Sequence, residues 1–71
     1  MEYTIILEGS AERGFSAYSP DIAVYATGKT EASVRKRMAS GIAFHIDMLR
    51  KTGDPIPSPI AKTYVLRIDA V

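Results

Sequence analysis

The sequence predicts a small α+β domain whose elements follow one another in the order β-β-β-α-β. Two observations support this class. Apolar and polar residues alternate at both ends of the chain, which is typical of half-buried strands. Between residues 30 and 52 the apolar spacing changes to three and four residues, which is typical of an amphipathic helix. We therefore expect a three-stranded antiparallel meander joined by a fourth strand, with one long helix packed on one face of the sheet.

The first strand is predicted over residues 2–8, where Tyr3, Ile5 and Leu7 fall on one side of the chain. Residues 9–14 contain two glycines that can adopt positive φ, so they are predicted to form a turn. The first two strands should therefore form a hairpin with a loose loop.

The second and third strands are short. Residues 15–18 resume extended structure after the turn, and the Ser-Pro-Asp sequence at 19–21 interrupts it. Residues 24–27 form the predicted third strand. The three strands are close enough in sequence to be neighbours in one antiparallel sheet.

A single long helix is predicted between Thr30 and Gly53. Thr30 is suited to the N-cap position, and Glu31 in the first turn is favourable to the helix dipole. Arg50 and Lys51 occupy the last turn, and Gly53 is well placed to end the helix. The predicted apolar face consists of Ala32, Met38, Ala39, Ile42, Ala43, Ile46 and Leu49.

The chain after the helix should be extended. Prolines alternate through residues 54–59, so this segment can be neither helix nor central strand and is predicted to be a stiff connector. Beyond it, Tyr64, Leu66 and Ile68 alternate with residues of the opposite face. This alternation predicts a last strand that joins the sheet.

Size and composition limit the classes of function. The 71 residues form one predicted domain, 1–71, and a chain this short buries only about 60% of the surface that its unfolded form exposes. Self-association or a partner chain should therefore add stability. The sequence has no cysteine, no signal peptide and no apolar run of the roughly 20 residues that a membrane span needs. We expect a cytoplasmic protein that does not associate with membranes.

The stretch at 25–31, YATGKTE, ends like a phosphate-binding loop but lacks its essential glycine. The motif requires glycine five residues before Gly28, and that position is Ala23, within a run of strand character.

The only histidine, His45, has no carboxylate three or four residues away on the helix. We expect no catalytic residues, no metal site and no cofactor.

The candidate partner-binding residues lie on the predicted helix. Val34, Phe44 and Met48 form a second apolar stripe, sparser than the first, on a side expected to face water. Arg35 interrupts the main apolar face and either extends past the sheet edge or contacts an acidic partner or phosphate. With Arg37, it belongs to the consecutive basic cluster of a chain whose net charge is only +1.

The ordered set of motifs resembles the N-terminal domain of the HicB family, the antitoxins of HicA/HicB toxin–antitoxin pairs. The resemblance covers essentially the whole chain, through GFSAYSPD at 14–21, YATGKT at 25–30, IAFH at 42–45 and GDPIPSP at 53–59. It implies a partial RNase H-like fold without the catalytic carboxylates of that fold. It also implies association as dimers or tetramers, and binding to a HicA toxin, an mRNA-cleaving ribonuclease whose active site the antitoxin covers.

Three hypotheses of function follow from the residues and the resemblance. The leading one is a non-enzymatic, HicB-like antitoxin or antitoxin-derived binding module, without the C-terminal DNA-binding domain that family members usually carry. The second is a nucleic-acid-binding module that contacts phosphates. It would use the basic cluster of the helix, with Arg67 as a further candidate, and its binding should weaken steeply with salt; the cluster is Arg35, Lys36 and Arg37. The third is a small enzyme, for which the sequence offers no catalytic set.

Overall fold

The computed structural model describes residues 1–69 and shows a three-stranded sheet followed by one helix. The strands are β1 (Ile6–Ser10), β2 (Gly14–Tyr18) and β3 (Tyr25–Gly28), and the helix is α1 (Glu31–Thr52). The expected α+β class is therefore confirmed. The last two residues of the predicted domain lie outside the described residues.

The sheet is an antiparallel meander in the order β1-β2-β3. β1 pairs with β2 from Ile6 opposite Tyr18 to Ser10 opposite Gly14. β2 in turn pairs with β3, and this register places Ala17 directly opposite Ala26. Because β2 is the central strand, β1 and β3 are both edge strands of the sheet.

α1 begins and ends at the residues that the capping signals predicted. The Thr30 hydroxyl accepts a hydrogen bond from the Ser33 backbone N–H at 3.1 Å. At the other end, Gly53 adopts a left-handed conformation with φ of 75°, and its N–H donates to the carbonyl of Arg50. The Asp54 N–H donates to the carbonyl of Leu49 at 2.9 Å, which completes a Schellman motif.

The core lies between α1 and the strands β2 and β3. Ala17 and Ala26 present small side chains on the helix-facing side of the sheet, so the helix can approach closely. Gly41 contributes to the same fit, because a Cβ atom there would lie 2.9 Å from a methyl group of Val24. The buried residues and the partly buried ones around them are Ala17, Ala26, Val34, Met38, Leu7, Phe15, Val24 and Ile42.

Two of the strand predictions need correction. β1 begins at Ile6, four residues later than predicted, because residues 1–5 have no strand to pair with. The predicted last strand is also wrong for the isolated chain: residues 54–69 form no strand, and Tyr64, Leu66 and Ile68 are exposed. An alternating pattern shows that a segment suits a strand, but it does not supply the partner that completes one.

The unpaired C-terminal segment makes the molecule elongated. Its radius of gyration is 14.6 Å and its longest dimension is 52 Å. A compact chain of this length would have a radius of gyration of about 11 Å. Within residues 1–69, no helix combines the length and apolar character needed to cross a bilayer.

Candidate functional site

An open apolar groove lies between the N-terminal part of the chain and α1. It has a volume of about 400 Å³. One wall is formed by Tyr3, Ile5 and Leu7, the three residues that the sequence placed on one side of the first strand. The opposite wall comes from Ala39 and Ile42 of α1, and the buried side chains of Ala17, Val34 and Met38 lie beneath the groove. The groove thus continues the helix-facing side of the sheet beyond its β1 edge.

The predicted apolar face of α1 is wider than the part of the helix that the sheet covers. The uncovered part of this face lines the groove. Met38 is buried against the strands, whereas Ala39, one residue further on, is exposed in the groove wall. Arg35 lines the same groove one turn earlier. Its guanidinium forms an ion pair with Glu31 at 3.4 Å and remains largely exposed, so it does not enter the core.

The second candidate surface is the outward side of α1. Phe44 is 66% exposed and Met48 is 47% exposed, and the two residues lie one helical turn apart. Arg37, seven residues before Phe44, lies on the same stripe. Three of the five predicted partner-binding residues, Arg37, Phe44 and Met48, therefore share one face.

Val34 does not belong to this face, and its assignment as a partner-binding residue is corrected. Its exposure is 0%, and it packs in the core with Ala17, Ala26 and Met38. The helix is rotated relative to the predicted apolar face, because it lies over β2 and β3 instead of being centred on the whole sheet. Sequence spacing could not give this rotation, since it depends on which strands lie beneath the helix.

The three consecutive basic residues of α1 do not form one cationic surface. Arg35 lines the groove, whereas Arg37 donates a hydrogen bond to the carbonyl of Thr27 in β3 at 2.6 Å. Successive helical residues are separated by about 100° around the axis, so these side chains lie on different sides of the helix. Each arginine also has a partner within the chain.

The stretch at 25–31, YATGKTE, contains the end of β3 and the N-terminal cap of α1. Gly28 ends β3, and a Cβ atom there would approach the Ser33 hydroxyl to 2.5 Å and a Val34 methyl group to 3.1 Å. A larger residue would displace the Ser33 hydroxyl and press on Val34, so glycine suits the close approach of α1 at this position. The hydroxyl of Thr30 already occupies the Ser33 N–H, so the first turn does not present that amide to a ligand.

The ionisable side chains are dispersed over the described part of the chain. His45 is half-buried on α1, and the nearby Asp47 forms an ion pair with Lys51 at 3.0 Å. Among residues 1–69, no three His, Asp or Glu side chains form a group that could hold a metal ion.

The third notable feature is the C-terminal arm, which we define as residues 60–69. Its base is fixed to the body: the Thr4 hydroxyl donates to the carbonyl of Ala61 at 3.0 Å, and the Ala61 N–H donates to Asp21 at 2.9 Å. Just before it, the Tyr3 hydroxyl donates to the carbonyl of Pro57. Beyond Ala61 the arm leaves the body, and its large apolar side chains are 67–98% exposed.

No protein-family model, no curated protein and no solved structure matches this chain.

Proposed function

We propose that this chain is a non-enzymatic binding module of the HicB-like antitoxin type. In this proposal it binds a HicA-type mRNA-cleaving ribonuclease in the cytoplasm and neutralises the toxin by covering its active site. It uses no cofactor, and it associates with itself as a dimer or tetramer. The three-stranded sheet and long helix would then be the retained part of an RNase H-like fold that serves as a scaffold for binding.

The observation that carries the proposal is the exposed stripe of α1 formed by Arg37, Phe44 and Met48. Aromatic residues, methionine and arginine are enriched in protein–protein interfaces relative to the rest of the surface. Here they lie on a 22-residue helix that is capped at both ends. A rigid helix loses little conformational entropy on binding, so its exposed apolar side chains can contribute fully to affinity.

Charge defines how such a complex should respond to salt. α1 carries five basic residues and two acidic ones, so its net charge is +3 without His45. If the toxin is basic, like charges oppose docking, and screening should preserve or strengthen the complex. Binding to nucleic acid would respond in the opposite way, because its affinity falls steeply as salt increases.

Co-expression with a small toxin from the adjacent reading frame tests the proposal. We expect this chain to restore growth and to elute together with the toxin on a sizing column. Replacing Phe44 and Met48 together by alanine should abolish both effects, whereas Arg50→Ala, away from the stripe on the same helix, should leave them intact. Persistent toxicity with no complex would refute the proposal.

A further inference from the structure

We infer that the C-terminal arm of one copy of this chain fills the apolar groove of a second copy, and that the exchange is reciprocal. Each arm would add a fourth strand at the open edge of the partner's β1. The result is a closed dimer with two-fold symmetry, in which both interfaces use the same two surfaces. This inference deepens the self-association in the proposed function and rests on that part of it alone.

The first observation is the chemistry of the arm. Ile60, Tyr64, Val65, Leu66 and Ile68 are aromatic, branched or large apolar residues, and all are exposed. Such residues favour strands and are costly to leave in water. The last proline precedes the arm, so each residue after Ala61 has a backbone N–H that can donate to a neighbouring strand.

The second observation is that the groove lies where a further strand next to β1 would lie. Tyr3, Ile5 and Leu7 project into it from one side, and α1 covers it from above. The backbone of residues 1–5 pairs with no strand, although it leads directly into β1. An open edge beside an apolar groove is the arrangement that strand addition satisfies, because it provides both backbone partners and a cover for the apolar wall.

Arm and groove also match in length and in side-chain alternation. Residues 64–69 would extend about 20 Å as a strand, and residues 1–7 would extend about 23 Å. Tyr64, Leu66 and Ile68 lie on one side of the extended arm. A strand that filled the groove would direct three or four side chains of one side into it. The alternation that predicted a last strand is thus explained by a partner in a second molecule.

One charge of the arm matches the segment that it would join. Arg67 alternates with Leu66 and Ile68, and Glu2 and Glu8 alternate with the groove-facing residues, so these opposite charges would lie on the same outer side of the sheet. Arg67 also pairs with Asp69 within the arm at 3.9 Å, and Lys62 falls on the side of Tyr64. Apolar contact therefore contributes more than charge to the proposed interface.

The exposed area is consistent with an extensive dimer. The chain exposes 5914 Å², whereas a compact monomer of its mass exposes about 4,300 Å². The excess is about 1,600 Å² per chain, or about 3,200 Å² for a pair, which lies within the range of obligate dimers. A second copy can meet the arm in the conformation that it already has, with the three hydrogen bonds at its base intact.

Mass measurement of the 71-residue chain provides the first test. We expect light scattering on a sizing column to give twice the monomer mass of 7.7 kDa at micromolar concentration. Leu66→Asp, on the groove-facing side of the arm, should yield a monomer that retains its helical circular dichroism. Val65→Lys, on the opposite side of the arm where Glu2 and Glu8 would lie, is the control and should remain dimeric. A monomeric wild-type protein, or a Leu66→Asp variant that stays dimeric, would overturn the inference.

Disulfide trapping identifies the occupant of the groove, and the absence of cysteine from the chain makes it unambiguous. Ala39→Cys places a thiol in the groove wall, and Tyr64, Leu66 and Ile68 are each replaced by cysteine in separate chains. After mixing and oxidation, at least one combination should give a covalent dimer of one groove variant and one arm variant. In chains that carry both cysteines, the bond should again join two chains; a bond within one chain would show that each arm fills its own groove and would refute the exchange.

These outcomes are distinguishable from failure of the proposed function. A trapped dimer in a protein that binds no toxin would leave the arm exchange standing and refute the antitoxin proposal. A dimer without arm-to-groove bonds would refute the exchange and leave toxin binding open to its own test.

Discussion

At the scale of single residues, Thr30 determines where the helix begins. Its hydroxyl satisfies the Ser33 N–H, which would otherwise lack a partner in the first turn. We expect Thr30→Ala to reduce the free energy of unfolding by about 1 kcal/mol. Thr30→Ser keeps the hydroxyl and should lie within a few tenths of a kcal/mol of the wild type. Urea unfolding followed by circular dichroism measures both, and equal losses in the two variants would contradict the capping role.

Gly9 has the most constrained backbone position of the sheet. Its φ is 131°, and a Cβ atom would meet the carbonyl oxygen of Gly14 and the Cα atom of Phe15 across the hairpin. These are backbone atoms of a paired strand, so they cannot move aside without breaking the ladder. We expect Gly9→Ala to cost about 2–4 kcal/mol, measured by urea unfolding.

Gly53 provides the comparison for this prediction. It also has a positive φ, of 75°, but no atom lies within 4 Å of the place that a Cβ would occupy. Gly53→Ala should therefore cost only about 1–2 kcal/mol, from backbone conformation alone. A loss at Gly53 as large as that at Gly9 would show that the close contact across the hairpin is unimportant.

At the scale of elements, the sequence predicts best what is determined locally. The helix bounds at Thr30 and Gly53 are confirmed because capping depends on residues a few positions apart. The third strand was predicted at 24–27 and lies at Tyr25–Gly28, since the turn before it and the helix after it limit its extent. The meander follows from short connections, which leave adjacent strands little choice of neighbour.

What could not be predicted depends on contacts between distant parts of the chain. The alternation in residues 64–69 indicates a strand, yet whether it pairs in the same molecule depends on geometry that no local pattern contains. The rotation of α1, which buries Val34 and exposes Ala39, is set by the position of the helix over β2 and β3. For the candidate site, the sequence identified Phe44 and Met48 through their spacing but gave no sign of the groove, which requires three segments to come together.

Replacing a large side chain by alanine should have different effects on the stability of the two sides of α1. Met38 is buried in the core, so Met38→Ala should cost about 2–5 kcal/mol, which is much of the stability of a small domain. Phe44 is exposed, and Phe44→Ala should change stability by no more than about 0.5 kcal/mol. Thermal unfolding of the purified variants measures both. A large loss at Phe44 would mean that this side of the helix is already covered by self-association and is not available to a toxin.

At the scale of the whole molecule, the core is small and much of the apolar surface lies outside it. Among residues 1–69, five apolar residues are buried, whereas eleven large apolar residues are exposed, five of them in the C-terminal arm. A monomer with this distribution gains little from burial, and its extended arm adds the cost of apolar surface in water. Stability should therefore depend on a second chain, and hence on protein concentration.

The midpoint of thermal unfolding should rise with protein concentration, because a second chain that binds only the folded state stabilises it by mass action. Each tenfold increase adds about 1.4 kcal/mol to the free energy of unfolding of the pair. For a dimer of this size that corresponds to a rise of about 3–6 °C in the midpoint. Leu66→Asp, which removes an apolar contact of the arm, should give a lower midpoint that does not vary with concentration. A wild-type midpoint that is constant over a hundredfold range would show that the monomer is the folding unit, and that the exposed arm makes no contribution to stability through a second copy.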